Sequence, residues 1–276
     1  MKTILVAIHG ILANQTEASW PDKLDAWMFV RDPGVKVLKK EYRAGPFPRW
    51  NCYVKDPRLA LSLANELELF LRPHSRIPSF HPATFPPPSL WFVAHSNGAV
   101  IALLTAKILI ERGHRITGLI LTGAACEADI YKNQIFEWYC EQRLDAAIAY
   151  CSQDDRLLSG DADYQSALAN RPSLFTRLRQ LLWRKLIYPY GCLGRSGWLC
   201  GGRPMGDPSL DNPTSPSLQS VFTRWYSGGH STYFTARNIH RTFLQICRDM
   251  FRVEFQRASS SQPAPGPAPR CAEHAL

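Results

Sequence analysis

Short apolar runs rich in β-branched and aromatic residues alternate with helical patterns along most of this 276-residue chain. A strand that is buried on both faces needs apolar residues at successive positions, so such runs are typical of a parallel sheet covered by helices. The alternation predicts an α/β fold with a doubly wound, mostly parallel sheet of about six strands. The predicted strands are residues 4–8, 35–42, 90–94, 116–121, 146–151 and 221–226.

The segments between these runs place apolar residues at helical spacing. In residues 57–71, Leu59, Leu63, Leu67 and Phe70 form one stripe. Glu68 lies opposite this stripe, although Glu66 falls close to it and weakens the pattern. The other predicted helices are residues 20–30, 98–112, 130–143 and 232–251. We therefore expect one α/β domain over residues 1–257, with helices on both faces of the sheet.

Three segments interrupt the alternation. Residues 72–89 are too rich in proline for a regular element and predict a surface loop. Residues 161–220 begin with a leucine-rich basic helical stretch and become irregular, which indicates an inserted subdomain or lid. Residues 258–276 are rich in Ser, Pro and Ala, and this segment is expected to be disordered.

The net charge of +9 is unevenly distributed, because residues 171–205 contain seven basic residues and no acidic one. Such a segment can attract an anionic lipid surface or another acidic partner. A solvated basic face is the simpler interpretation. No helix-turn-helix, RNP or zinc-finger pattern accompanies the charge, so no nucleic-acid partner is expected.

The amino-terminal apolar run is not followed by a small-residue cleavage site, and no apolar stretch approaches the roughly 20 residues of a membrane span. A cytoplasmic protein is therefore expected. Eight cysteines in a chain of this length, without an export signal, are expected to be reduced thiols. The spacing of Cys192 and Cys200 does not match a structural zinc site, so no metal is predicted.

The most informative motif joins the run 90–94 to the helix that starts at Gly98. Ser96 lies between them, and a serine on so sharp a turn is held above the edge of the sheet. Small residues are needed two positions before and after it because the backbones crowd there, and Ala94 and Gly98 satisfy this requirement. A serine that merely caps the helix is the simpler alternative, but it predicts no partner residues elsewhere.

Two candidate partners follow later in the chain. A serine hydroxyl is a poor nucleophile until a base takes its proton, and that base needs an oriented acid. The acidic pair Asp154 and Asp155 follows the run 146–151, and His230 follows the run 221–226. Both positions are at the carboxyl ends of predicted strands, as Ser96 is.

The strings A-H-S-N-G-A, S-Q-D-D-R-L-L and G-G-H-S-T-Y-F resemble the three active-site segments of esterases and lipases of the α/β-hydrolase superfamily. The resemblance spans roughly residues 2–251. It implies that Ser96 is the nucleophile and His230 the general base. In similar sequences, apolar residues stand two and three positions after the acid, which favours Asp155 over Asp154.

The resemblance also implies an oxyanion hole made of two backbone N–H groups. One belongs to Asn97, directly after the serine, and the other to Ile11, directly after the His9-Gly10 pair. Taken alone, His9-Gly10 is no more than a turn after a strand. The histidines without an assigned role, His9, His95, His114 and His240, are expected to pack in the core or lie on the surface.

These features predict a serine hydrolase that cleaves a carboxylic ester through an acyl-enzyme and needs no cofactor. A small-molecule acyl ester is the expected substrate, while thioester and amide hydrolysis use the same residues and stay open. A rival hypothesis is a noncatalytic α/β-hydrolase fold that binds a partner or an anionic membrane through residues 171–205. Trp183, Tyr188, Tyr190 and Trp198 could cap an acyl chain or pack an ordinary subdomain.

Overall fold

The computed structural model of the protein describes residues 2–10, 20–40, 42, 54–71, 88–127, 134–155, 158, 191, 193–200, 203–204 and 220–260. All six predicted strands are present, with ends that differ by one or two residues. The elements are β1 (Thr3–Ile8), α1 (Trp20–Arg31), β2 (Val35–Lys40), α2 (Asp56–Leu71), β3 (Ser89–His95), α3 (Gly98–Glu111), β4 (Ile116–Thr122), α4 (Phe136–Cys140), β5 (Leu144–Cys151), α5 (Leu193–Ser196), β6 (Leu199–Cys200), β7 (Arg203–Pro204), β8 (Val221–Trp225), a 3₁₀ turn (Thr232–Phe234) and α6 (Ile239–Ser260).

The main sheet has the strand order β2-β1-β3-β4-β5-β8, and every neighbouring pair is parallel. β2 pairs with one side of β1 and β3 with the other, so the direction of winding reverses between β1 and β3. Sheets of this kind bind ligands at the carboxyl ends of the strands beside such a reversal. The predicted fold class, a doubly wound parallel sheet, is confirmed.

The two faces of the sheet are buried under different helices. In β1, Ile4, Val6 and Ile8 pack on the side covered by α2 and α3, whereas Leu5 and Ala7 pack on the side covered by α1 and α6. This alternation follows from the two-residue period of a strand. Because both faces are covered, every residue of β1 is buried. The continuous apolar run in the sequence has this physical cause.

Two predicted helices begin or end elsewhere. The helix predicted over residues 130–143 is Phe136–Cys140 in the described part of the chain, and it ends where Gln142 adopts a φ of 58°. That left-handed conformation terminates a helix. The helix predicted over residues 232–251 begins at Ile239, because Thr235 is extended (φ −64°, ψ 156°) and separates it from the 3₁₀ turn.

The last helix also extends further than expected. α6 continues to Ser260, three residues into the segment expected to be disordered from Ala258. The Ser259 hydroxyl donates a hydrogen bond to the Phe255 carbonyl at 2.9 Å, as a residue in a continuing helix can. Residues 261–276 lie outside the described residues, so disorder there stays a prediction.

Most of the interrupting segments also lie outside the described residues. Of residues 161–220, the structure describes 191, 193–200, 203–204 and 220, including the antiparallel pair β6 and β7. The lid, the basic surface of residues 171–205 and the loop of residues 72–87 therefore stay predictions. Among the described helices, none combines the length and the apolar character that a membrane crossing requires.

Candidate active site

Ser96 stands on the turn between β3 and α3, where the reversal of the sheet predicts a ligand site. Its φ of 55° is left-handed, a conformation that is strained for a residue with a side chain. The Ser96 N–H donates to the Thr122 carbonyl at 3.0 Å, and the Ser96 carbonyl accepts from the N–H groups of Ala99 and Ala125, both at 3.1 Å. Backbone contacts with β4 and the segment after it thus maintain the strained turn.

The glycines around this turn are required by close approach. A Cβ at Gly98 would lie 2.5 Å from the His9 carbonyl oxygen, and one at Gly10 would lie 2.6 Å from the Ser96 Cβ. A Cβ essentially never lies this close to a nonbonded atom, so neither position accepts a side chain without a shift of its neighbours. The small residue that the sequence motif requires after the serine has its cause here: the start of α3 packs directly on the end of β1.

Asp155, rather than Asp154, contacts the imidazole. After β5 the chain turns so that Asp155 is fully buried, with its Oδ2 2.7 Å from Nδ1 of His230 and its Oδ1 accepting the Leu158 N–H at 3.1 Å. Asp154 instead accepts the N–H of Gly228 at 3.1 Å. The two neighbouring acids therefore have different partners: one holds the ring of His230, and the other holds the turn that precedes it.

The half-buried side chain of His230 presents one nitrogen without a partner in the described part of the chain. Because Asp155 accepts from Nδ1–H, a neutral ring has its lone pair on Nε2, and Nε2 is buried with no hydrogen-bond partner in the described part of the chain. Gly123 lies beside this ring and has a φ of 50°, a left-handed conformation that favours glycine. A neutral imidazole held in this way can accept a proton at Nε2.

Ser96 and His230 are brought to the same edge of the sheet, but they do not form a hydrogen bond with each other. Their common neighbour is His95, whose Nε2–H donates to the His230 carbonyl at 3.1 Å and whose ring centroid lies 4.9 Å from that of His230. The Ser96 hydroxyl is on the Gly10 side, 3.2 Å from the position that a Cβ of Gly10 would occupy. His95 thus links the turn that carries Ser96 to the backbone of His230.

His95 is a residue whose contribution the sequence did not reveal. It is buried, and burial, together with the neighbouring His230, lowers its pKa to about 3. It therefore stays neutral near pH 7. Its hydrogen bond ties the serine turn to the loop that holds the base. Its position directly before Ser96 was the one available signal.

Asn97 supplies a free backbone donor at the start of α3. Its N–H donates to no acceptor in the described part of the chain, and it lies at the positive end of the helix. The other predicted donor, the N–H of Ile11, lies outside the described residues. In the described turn before Ile11, the ring of His9 makes two hydrogen bonds. Its Nε2 accepts from the Tyr42 N–H at 3.1 Å, so the ring proton is on Nδ1, which donates to the Gly10 carbonyl at 2.7 Å.

Solved structures that are similar to this protein cover most of its chain. No protein-family model matches the sequence, and no curated protein sequence matches it. Among solved structures, YbtT, the type II thioesterase of the yersiniabactin biosynthetic pathway, is 19% identical, with 91% of this chain and 94% of that chain covered and a TM-score of 0.38. RedJ, a thioesterase of the prodiginine pathway in Streptomyces coelicolor, is 17% identical, with coverages of 90% and 86% and a TM-score of 0.40.

A third similar structure is an esterase of Pyrobaculum calidifontis, 13% identical, with coverages of 92% and 77% and a TM-score of 0.44. Those names describe those proteins, and at this level of identity they do not define the activity of this chain. What this chain itself contains is a doubly wound parallel sheet, a strained serine between β3 and α3, and a buried acid paired with a histidine at the same edge.

Proposed function

We propose that the protein is a serine hydrolase of the α/β-hydrolase type, with Ser96 as nucleophile, His230 as general base and Asp155 as the acid that orients it. The observation that supports this most directly is the contact of the buried Asp155 with His230, with a separation of 2.7 Å, at the sheet edge that also bears Ser96. An acid that holds one ring nitrogen leaves the other as the base, which is the division of roles that nucleophilic catalysis by serine needs.

In the proposed reaction, His230 Nε2 takes the Ser96 proton while Oγ attacks the acyl carbon. The imidazolium that forms keeps its Nδ1–H on Asp155, whose carboxylate stabilises the new positive charge. His230 then gives the proton to the leaving group. A water molecule attacks the acyl-enzyme by the same route and restores the serine. Ser96 Oγ and His230 Nε2 are not hydrogen-bonded to each other in the structure, so the proposal requires this hydrogen bond to form when the substrate binds.

Attack on the acyl carbon places negative charge on its oxygen, and backbone donors aimed at that oxygen lower the barrier. The free N–H of Asn97 supports the assignment of one donor. We assign the second to the N–H of Ile11, which follows the His9-Gly10 turn. In the described part, Gly10 adjoins Ser96, so the segment that leads to this donor starts beside the nucleophile.

The proposed substrate is a carboxylic ester. Thioesters and amides are cleaved by the same residues, so the choice depends on the leaving group and on the pocket around it. Parallel assays of an oxygen ester, a thioester and an amide that share one acyl chain, repeated over graded chain lengths, separate these activities. A higher kcat/KM for the thioester than for the oxygen ester at every length would replace esterase by thioesterase.

A fluorophosphonate probe tests the hydrolase proposal itself. We expect the folded wild type to be labelled and Ser96→Ala to be unlabelled. Ser62, an exposed serine on α2, provides the matched control, and Ser62→Ala is expected to be labelled like the wild type. A folded wild type that resists the probe, or a Ser96→Ala variant that is still labelled, contradicts the proposal. The first of these outcomes favours the noncatalytic binding protein.

A further inference from the structure

Behind the serine turn, on the β2 side, lies a group of buried polar side chains that the proposed reaction does not use. Asn97 follows Ser96, Asp56 is the first residue of α2, and Tyr42 comes two residues after β2. The Asn97 amide nitrogen donates to Asp56 Oδ2 at 3.1 Å and to the Tyr42 hydroxyl at 3.2 Å. We call these three residues the elbow cluster.

The elbow cluster contains buried oxygens with unused hydrogen-bonding capacity. Asp56 is fully buried and Asn97 is 1% exposed, yet within the described residues Oδ1 of Asp56 and Oδ1 of Asn97 have no hydrogen-bond partner. A buried polar atom without a partner destabilises the folded state, and apolar residues of similar size would avoid that loss. Burial also raises the pKa of Asp56 to about 6. A role in function accounts for keeping such residues next to the nucleophile.

The Asn97 N–H, the proposed oxyanion donor, belongs to the peptide between Ser96 and Asn97. On the carbonyl side this peptide is anchored by the N–H groups of Ala99 and Ala125, both 3.1 Å from the Ser96 oxygen. On the other side, the Asn97 backbone leads into α3, and its side chain is tethered to α2 by Asp56. The elbow cluster is therefore the side-chain anchor of the plane that carries the donor, beside the backbone hydrogen bonds that the Asn97 carbonyl accepts in the first turn of α3.

We propose that Asp56 is a positioning residue, which acts through the Asn97 side chain to keep the Asn97 N–H aimed at the oxyanion. This inference rests on the proposed function. Since small displacements of catalytic groups lower rates steeply, loss of the side-chain anchor is expected to slow the acyl-transfer step about tenfold. Ground-state binding of the substrate does not use this donor in the same way, so KM changes little.

The test is Asp56→Ala, measured both by ester kinetics and by the rate constant of fluorophosphonate labelling. We expect kcat and the labelling rate constant to fall about tenfold, with KM within about twofold of wild type and labelling still reaching completion. Asp56→Asn keeps an oxygen that accepts from the Asn97 amide and is expected to restore most of the rate. This recovery distinguishes positioning from a need for the negative charge.

Thr105→Val provides the matched control for loosening of the contact between α2 and α3. Thr105 is buried on α3, and its hydroxyl bonds to the carbonyls of Ile101 at 2.7 Å and of Ala60 on α2 at 3.5 Å. We expect Thr105→Val to lower stability without slowing labelling. If it slows labelling as much as Asp56→Ala does, the effect is general loosening and the inference is wrong.

A double variant tests the route through Asn97. If Asp56 acts through that side chain, Asp56→Ala slows labelling no further in the Asn97→Ala background. Should Asp56→Ala fail to fold, Asn97→Ala alone gives the same readout. Labelling of Asp56→Ala or Asn97→Ala at the wild-type rate overturns the inference while the hydrolase proposal stands. A wild type that is never labelled overturns the hydrolase proposal instead, so the two failures are distinguishable.

Discussion

Two buried clusters of charged and polar side chains in this molecule are built in opposite ways. Between the sheet and α6, Asp249 accepts from the Tyr150 hydroxyl at 2.6 Å, from Nε of Arg224 at 2.8 Å and from the Gln245 amide at 3.2 Å. Arg224 Nη2 also donates to Oδ1 of Asp249. At the carboxyl ends of the strands, by contrast, His230 Nε2 and Asp56 Oδ1 are buried with no partner among the described residues.

The difference separates a cluster with a structural role from one at the proposed active site. A buried network in which every atom is satisfied fixes the positions of its members and has no capacity left for another molecule. The cluster at the site has unused hydrogen-bonding capacity, which lowers stability and leaves groups available to a substrate. Substitutions in the first cluster should therefore change stability, and those in the second should change the reaction. The variants below test this division.

The largest expected effect is on the reaction, in Asp155→Asn. Asparagine keeps the size of the side chain but removes the carboxylate that holds His230 in the required tautomer, so kcat/KM is expected to fall about 10⁴-fold. The matched control is Asp154→Asn, which alters the neighbouring acid that bonds to the Gly228 N–H. That variant is expected to stay within a few-fold of wild type. Equal losses in both variants would contradict the assignment of Asp155.

The choice between these two acids shows how far the sequence reaches. Apolar residues two and three positions later favoured Asp155, and the structure places Asp155, not Asp154, against His230. The strands were also predictable, since runs buried on both faces need continuous apolar sequence. The start of α6 was not predictable, because it depends on the extended conformation of Thr235, and the sequence around Thr235 continues a helical pattern.

Contacts between distant segments were beyond the sequence for a different reason. His95 and His230 are 135 positions apart, and their hydrogen bond exists only because the sheet aligns the ends of β3 and β8. Asp56 opens α2, where an acid ordinarily lies exposed and favourable near the helix N-terminus. Its burial results from the packing of α2 beside the serine turn. No local pattern encodes either contact.

The satisfied cluster should show the largest change in stability. Asp249→Ala removes the partner of the mostly buried Arg224 and leaves the Tyr150 hydroxyl without its acceptor, so the free energy of unfolding is expected to fall by about 3–5 kcal/mol. Denaturation in urea measures this change, and kcat per folded molecule should stay unchanged. As a control, Asp22 is 52% exposed in its pair with Lys39, so Asp22→Ala should cost less than about 1 kcal/mol. A stable Asp249→Ala variant with impaired kcat would invert the proposed division.

The pH dependence of stability should reveal the burial of the Asp56 carboxyl. The pKa of Asp56 is raised from 3.8 to about 6, so its neutral form is favoured in the folded protein. That contribution is fully present below pH 4 and is lost as the pH rises through 6. Asp56→Asn has no such loss, so its stability relative to wild type should improve by up to ~3 kcal/mol between pH 4 and pH 8. Urea denaturation at both pH values measures the change, and a flat or falling difference would contradict the burial of an unsatisfied carboxyl.

The smallest expected effect concerns backbone strain, which is a second respect in which the site lowers stability. Ser96 has a φ of 55°, and the exposed Gln142 at the end of α4 has a φ of 58°. Glycine adopts this conformation freely, so Ser96→Gly and Gln142→Gly should each raise the free energy of unfolding by about 1 kcal/mol or slightly less, after the greater freedom of the unfolded chain is counted. Gln142→Gly should keep full activity, whereas Ser96→Gly should gain stability and lose both activity and labelling. If Gln142→Gly is stabilised and Ser96→Gly is not, the serine turn is not strained, and the unsatisfied polar atoms alone account for the instability of the site.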